Sequence, residues 1–292
     1  MQASFPTVTS QTLRLPAPAK LNRLLNIVGL RADGYHELQT LFQLIDLCDT
    51  LTFTLRQDGQ LVLRDDLAGI AKEDNLVMRA ARLLQDATGC PLGATLAIED
   101  KTLPMGGGLG GGSSNAATTL VGLNHLWKLG LSPDQLAELG LTLGADVPVF
   151  IHGTSAWAEG VGERLTPVTL DTPWFVVIHP GVSVSTPEVF KDPQLTRNTP
   201  PITMARALQG GASSWRNDCE AVVTRAYPPI AAAIEWLESF ADTRLTGTGA
   251  CIFAGFKNQA MARTVANQAL KHWPAWVAKG LNRSPLHVAL GD

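Results

Sequence analysis

Residues 103–117 read "LPMGGGLGGGSSNAA" and place six glycines in the seven positions 106–112. Glycine loses more backbone freedom on ordering than any other residue, about 0.5–1 kcal/mol relative to alanine. Fixing six of them costs on the order of 3–6 kcal/mol, a large share of a domain's net stability of about 5–15 kcal/mol. Either the run is a disordered linker, or something there needs bare backbone. Linkers lie among Ser, Pro and charged residues. This run instead lies between "ATLAIED" (94–100), whose alternation predicts a strand, and "SSNAATTLVGLNHLWKLG" (113–130). In the latter, Ala116, Leu120, Leu123 and Trp127 form one apolar stripe at helical spacing, and Gly130 stops it. An ordered strand–loop–helix unit is therefore predicted. Its glycines let several main-chain N–H groups point at one ligand, and the helix N-terminus adds about +0.5 of a charge. The combination suits an anion, phosphate above all.

Other phosphate loops fit less well. A P-loop requires GxxxxGK[ST], and Ser113 follows Gly112 where Lys is needed. Gly106, Gly108 and Gly111 satisfy GxGxxG, but the acidic residue that closes a dinucleotide site about 20 residues on is missing from "NHLWKLG". No V-A-I-K, H-R-D or D-F-G accompanies the run as in a protein kinase. Ser113 and Ser114 either cap the helix or bind a phosphate oxygen or magnesium; the sequence leaves both open.

The chain of 292 residues is 45% hydrophobic and 17% charged, with a net charge of −3. It is a globular sequence long enough for one large or two ordinary domains. No Lys/Arg block is dense enough for a nucleic-acid partner. No apolar stretch approaches the ~20 residues that span a bilayer, and "MQASFPTVTSQTLRL" lacks the basic start and apolar core of a secretory leader. Cys48, Cys90, Cys219 and Cys251 are far apart with no CxxC pair, which favours free thiols over a zinc site or disulfides. A soluble cytoplasmic protein is expected.

Along the chain, "LRLPAPAKLNRLLNIVGL" is extended, since Pro16 and Pro18 bar a helix at its start. Asp33-Gly34 marks a turn. "DTLTFTLR" (49–56) alternates as a half-buried strand, and "GQLVLRDD" after it predicts a hairpin. "EDNLVMRAARLLQDATG" (73–89) is a helix with Leu76, Ala80, Leu83 and Leu84 on one face, Asp74 or Asn75 as cap and Gly89 as stop. Ser132 and Pro133 open another helix. "WFVVIHPG" (174–181) and "ACIFAGF" (250–256) are buried-type strands, and three helices fill the C-terminal part. The order does not alternate strand and helix as a doubly wound sheet does. An α+β fold in two lobes fits better, residues 1–165 and 166–292, with a soft boundary near 160–170.

"PMGGGLGGGSSNAA" (104–117) resembles the second motif of the GHMP kinases, the small-molecule kinases that include galactokinase, homoserine kinase and mevalonate kinase. "PAKLN" (18–22) resembles their first motif and "LTGTGACIF" (245–253) their third. "GLRADGYHELQTLFQ" (29–43) and "GADVPVF" (144–150) narrow the likeness, which runs from about Pro16 to the C-terminus. The resemblance implies a two-lobed fold with its active site between the lobes. It also implies transfer of the ATP γ-phosphoryl, with magnesium, to the 2-hydroxyl of a cytidine-diphosphate-linked methylerythritol.

It assigns roles as well. Lys20, otherwise a surface lysine, would lie by the transferring phosphoryl group, where its charge offsets that of the equatorial oxygens. Asn22, two residues on and so on the same strand face, would hold substrate hydroxyls. Asp146 would accept the hydroxyl proton; the plain alternative is a helix cap ahead of Pro148. Pro104, Met105, Gly106, Gly107, Gly108, Leu109, Gly110, Gly111, Gly112, Ser113 and Ser114 would cradle the triphosphate. Asn75 and Lys101 would border the adenine, against plain roles as a helix cap and a solvated lysine. Tyr35 would stack on the cytosine and His36 would read its edge. Phe190 would close the other face with Thr186 nearby. Gly247, Thr248 and Gly249 would bring a supporting loop close to the cleft, or make a tight turn. The metal ligands are not legible. A GHMP kinase with another acceptor would keep the glycine motifs and lack "RADGYH"; a non-catalytic nucleotide-binding protein would not need both Lys20 and Asp146.

Overall fold

The computed structural model describes residues 11–64, 71 and 73–291. The N-terminal ten residues, in which no leader is expected, lie outside the described residues. In chain order the elements are β1 (Thr12–Leu30), β2 (His36–Arg56), β3 (Leu61–Leu63), α1 (Leu76–Thr88), β4 (Gly93–Asp100), α2 (Gly111–Leu126), α3 (Pro133–Leu141), α4 (Val147–His152), β5 (Ala156–Gly160) and β6 (Arg164–Pro167). The second half continues with β7 (Trp174–Ile178), α5 (Thr186–Lys191), α6 (Met204–Gly210), α7 (Glu220–Ala226), α8 (Pro228–Glu238), β8 (Thr243–Leu245), β9 (Ile252–Phe256), α9 (Gln259–Ala269), β10 (Ala275–Leu281) and α10 (Pro285–Leu290).

β1 and β2 form a long antiparallel hairpin around the Asp33-Gly34 turn, with register shifts at Pro18/Ala19, Asn22/Leu24 and Ile27/Gly29. Among the described residues β1 pairs with β2 alone, apart from an isolated bridge at Leu25, so Pro16 and Pro18 stand on an edge strand that tolerates their missing N–H groups. The sheet then runs β3-β4-β2-β10-β7-β9-β8. β2 begins at His36, well before the expected residue 49. Among the described residues, 49–56 does not pair with the strand of "GQLVLRDD" as the expected hairpin would. β4 pairs antiparallel with β2 through Leu55↔Ala94 and takes that edge, and β3 pairs parallel with β4. The eight-residue β4 offers a longer ladder than the three-residue β3, so the long-range partner wins.

α1 is capped by Asn75, whose Oδ1 accepts from the Val77 N–H, and ends at Gly89 in the left-handed region. Its buried face is Val77, Met78, Ala80, Ala81 and Leu84; Leu76 and Leu83 are only half-buried. α2 carries no simple stripe. Every residue from Ser114 to Leu123 is buried, as in a helix enclosed on all sides. It ends at Leu126, before Gly130, because Lys128 already takes the left-handed conformation at φ 57. Ser132 and Gln135 form a capping box on α3.

One core packs α1, α2 and α4 on β1, β2 and β4, and another packs α7, α8 and α9 on β7 and β9. The C-terminal segment returns to the first core: β10 joins β2 through Gly280↔Ile45, and Leu286 of α10 is buried there. No helix among the described residues is long and apolar enough to cross a membrane. The four cysteines are free thiols.

Candidate active site

The glycine run leaves β4, crosses the free edge of β1 and opens α2. φ is positive at Gly106, Gly108 and Gly110 (67, 72 and 74°) and at neither residue between them, so its sign alternates. Such alternation curls a backbone into a nest of N–H groups. At Gly108 a Cβ would lie 2.2 Å from the Thr246 carbonyl oxygen; at Gly110 it would lie 2.8 Å from the Phe150 ring and 3.2 Å from Lys20 Cε. Bare backbone is required at both. The carbonyls of the run are taken up: Leu109 O accepts from Lys20 N (3.0 Å), Gly106 O from Ala250 N (3.1 Å) and Gly107 O from Cys251 N (3.1 Å). No amide from Gly106 to Gly110 donates to another described residue. Gly110 is the α2 N-cap and offers no side chain to the first turn. Ser113 and Ser114 lie inside that turn, so neither is the cap. Ser113 lines the cleft, and Ser114 Oγ is buried without a hydrogen-bond partner among the described residues.

The loop walls a cleft of about 570 Å³ shared by β1, β2, the start of α4 and the segment 247–248. Lys20 and Asn22 project into it from β1 and are buried to 3% and 4% exposure. Lys20 Nζ donates to Asn22 Oδ1 (2.6 Å) and to Gly108 O (3.1 Å), and lies 3.2 Å from Asp146 Oδ2. Three acceptors thus surround a group with three hydrogens. Asp146 occupies the cap position of α4, but its carboxylate caps nothing. Its alternative as a helix cap is not what the side chain does; it faces Lys20 across the cleft at one-third exposure. Asn22 Nδ2 donates to Thr40 Oγ1 (2.9 Å), and Asn22 N donates to Thr246 Oγ1 (3.1 Å), which ties β1 to the third glycine motif.

Of the remaining expected residues, Pro104 to Ser113, Lys101, Thr186, Phe190, Gly247 and Thr248 line the cleft. Asn75, Ser114, Tyr35, His36 and Gly249 do not. Asn75 spends its Oδ1 on capping α1, and Leu76 beside it reaches the cleft. Thr186 and Thr248 join by a hydroxyl–hydroxyl bond of 2.7 Å, and a Cβ at Gly249 would meet Leu245, Val184 and Val223. Tyr35 is 64% exposed at the hairpin tip. His36 stacks on Phe190 with ring centroids 4.8 Å apart and planes at 28°. Burial first, then the charge of Arg197, holds the His36 pKa below its ordinary value.

Two residues at the site carry no signal in the sequence. Asp49 is a fully buried carboxylate that accepts from Lys101 Nζ (2.7 Å), Thr102 N (2.8 Å), Leu103 N (2.8 Å) and Asn115 Nδ2 (3.1 Å). It clamps the entry to the glycine run against α2 and aims Lys101. Asp49 opens the expected strand 49–56, and nothing in that alternation marks it as buried. Arg197 donates Nε to His36 Nε2 (3.1 Å) from a segment with no motif.

The family models describe the same chain. GHMP kinases N terminal domain matches residues 75–154, and GHMP kinases C terminal matches 203–275. The 4-diphosphocytidyl-2-C-methyl-D-erythritol kinase of Chromohalobacter salexigens is 61% identical over 284 residues, 96% of this chain and 95% of the relative. The protein of that name from Pseudomonas fluorescens strain SBW25 is 55% identical over 280 residues, 96% and 98% of the two chains. A crystal structure of 4-(cytidine 5'-diphospho)-2C-methyl-D-erythritol kinase matches with a TM-score of 0.80 at 32% identity, covering 92% of this chain and 99% of that one.

Proposed function

The chain belongs to the GHMP kinases and, within them, to the 4-diphosphocytidyl-2-C-methyl-D-erythritol kinases, and on that premise we propose how its cleft divides the work. It is a kinase of the non-mevalonate pathway that passes a phosphoryl group from ATP to an alcohol. The acceptor is the 2-hydroxyl of 4-diphosphocytidyl-2-C-methyl-D-erythritol. The lobes 1–165 and 166–292 meet at the cleft, with β10 and α10 returned to the first.

The observation that carries the assignment is the Lys20–Asp146 pair at 3.2 Å beside a nest of unpaired amides. The amides of 106–110 and the first turn of α2 take the triphosphate. Asp146 accepts the proton of the attacking hydroxyl as its oxygen bonds to the γ-phosphorus and the bridging oxygen leaves on ADP. Lys20 fixes Asp146 and supplies positive charge toward the equatorial oxygens in a loose transition state. Asn22 orients the acceptor alcohol. Leu76 and Lys101 border the adenine, and Asn75 serves behind them as the α1 cap.

Magnesium suits this donor set as an ion held mainly by nucleotide phosphates, since the described residues contain no group of three His, Cys, Asp or Glu side chains that would cage a metal. The Ser113 hydroxyl is the ligand we assign to it, and the ion would neutralise phosphate charge. At the far end Tyr35 and Phe190 flank the cytosine, His36 reads its edge, and Thr186 lies close by. The free thiols fit a reducing compartment, and we place the protein in the cytoplasm. An ADP-release assay with the cytidylyl substrate beside mevalonate, homoserine and galactose tests this reading. Turnover with the cytidylyl substrate alone is expected; turnover with another alcohol in its place overturns the acceptor assignment.

A further inference from the structure

Arg197 is anchored on three sides by main chain: its Nη1 donates to Leu195 O (3.2 Å), and its Nη2 donates to Phe190 O (2.7 Å) and Asp192 O (2.8 Å). The remaining Nε hydrogen points at His36 Nε2, 3.1 Å away. A guanidinium keeps its hydrogens at every pH a protein meets, so Nε2 must present a lone pair. The imidazole therefore carries its single proton on Nδ1 and is neutral; a doubly protonated ring would set two donors head to head. The lowered His36 pKa, from burial and then from Arg197, acts in the same direction. Ring flipping is opposed twice, by the forked anchor of Arg197 and by the stack on Phe190.

We propose that Arg197 is a positioning residue that fixes the His36 tautomer and, through it, makes the substrate end accept cytosine and refuse uracil. The proposal rests on the reading above that His36 meets the base edge. With Nε2 occupied, the edge left to the base is one Nδ1–H donor. Position 3 of cytosine is a bare nitrogen that accepts a hydrogen bond. Position 3 of uracil bears N–H, so the two donors would oppose each other. A site built around a placed donor rejects the mismatched analogue strongly, because both partners lose water and gain nothing. Arg197 itself need touch no substrate atom; it acts through His36 and through the Phe190 carbonyl.

The test uses the whole chain in two measurements. In ¹⁵N-labelled, substrate-free protein, imidazole nitrogen shifts with His36 assigned by Gln replacement are expected to show Nδ1–H. Arg197→Met moves part of that proton to Nε2. In steady state the same variant raises KM for the cytidylyl substrate about tenfold, the worth of one lost hydrogen bond, with kcat and KM for ATP nearly unmoved. Its preference for the cytidylyl over the uridylyl substrate falls by a similar factor. Arg197→Lys, which keeps a cationic donor without the fork, recovers part of both effects. An Nε2–H tautomer in the parent chain, or a tautomer unmoved by Arg197→Met, overturns the proposal, as does a moved tautomer with base preference intact. Tyr35→Ala separates the two levels. If it weakens the cytidylyl substrate and spares ATP while Arg197→Met leaves preference unchanged, only the role of Arg197 is lost. If Tyr35→Ala also has no effect, the base-site reading itself fails.

Discussion

Gly108→Ala adds one methyl group at the tightest point of the glycine run. The new Cβ would lie 2.2 Å from the Thr246 carbonyl oxygen and 3.0 Å from that of Gly249, both main-chain atoms. Ordinary contact begins near 3.4 Å, so the loop must shift by about 1 Å. The residue also holds φ 72°, where an L side chain costs about 1–2 kcal/mol. Gly108 O accepts from Lys20 Nζ (3.1 Å) and Thr246 Oγ1 (3.2 Å), so the shift carries the ammonium with it. Misplacing a reacting group by 1 Å costs on the order of 10²-fold. We expect kcat/KM for ATP, read by ADP release, to fall about a hundredfold, with a Tm loss of only about 2–8 °C. Gly130→Ala isolates the strain: φ there is 71° and no atom lies within 4 Å of the added Cβ. It should share the Tm loss and keep parental kcat/KM. A Gly108→Ala enzyme with parental kcat/KM for ATP would show that the nest does not hold the triphosphate.

Three further outcomes follow from named contacts. Asp146→Asn keeps the shape of the side chain and removes the proposed base, so kcat is expected to fall by about 10²–10⁴ while KM for ATP holds within about twofold; near-parental turnover refutes the proposed role. Asp49→Asn sets an N–H₂ against the donors of Lys101 and Asn115. Breaking such a buried pair costs about 3–5 kcal/mol, read as a lower urea midpoint, and freeing Lys101 raises KM for ATP; an unchanged midpoint contradicts the clamp. Burial raises the Glu220 carboxyl above its ordinary pKa, against the opposing Leu245 N–H and Arg244. A carboxyl so raised favours folding most below its unfolded pKa, and that contribution is lost as pH climbs through the folded one. Glu220→Gln, which keeps an oxygen for Leu245 N (2.8 Å), should therefore raise the urea midpoint near neutral pH and lose its advantage by about pH 4. A midpoint gain that persists unchanged in acid would assign the effect to something other than charge burial.

Much of the fold was legible because its signals are local. Alternation marked β4 and the end of β2, apolar runs marked β7 and β9, Asn75 and Gly89 bounded α1, and Ser132 with Pro133 opened α3, each from residues close in sequence, whereas β5, β6, β8 and β10 carried no signal that was read. The misreadings share a cause. The hairpin of 49–56 with 61–63 was the nearest pairing, and β4 displaced it from 37 residues away. The apolar stripe expected on α2 is not a boundary in the structure, because the sheet and three helices bury every residue from Ser114 to Leu123, polar side chains included.

What the sequence by itself determined was the family and the glycine loop with its positive φ angles, because glycine's access to positive φ is a property of each residue and survives without knowledge of its neighbours. Only the tertiary structure decided that Asp146 serves Lys20 rather than its own helix, that Asp49 is a buried clamp, and that Arg197 stands behind His36. Each of those pairs is separated by 52 to 161 positions. A charge has no meaning for chemistry until the fold sets its distance to a partner and removes the water between them.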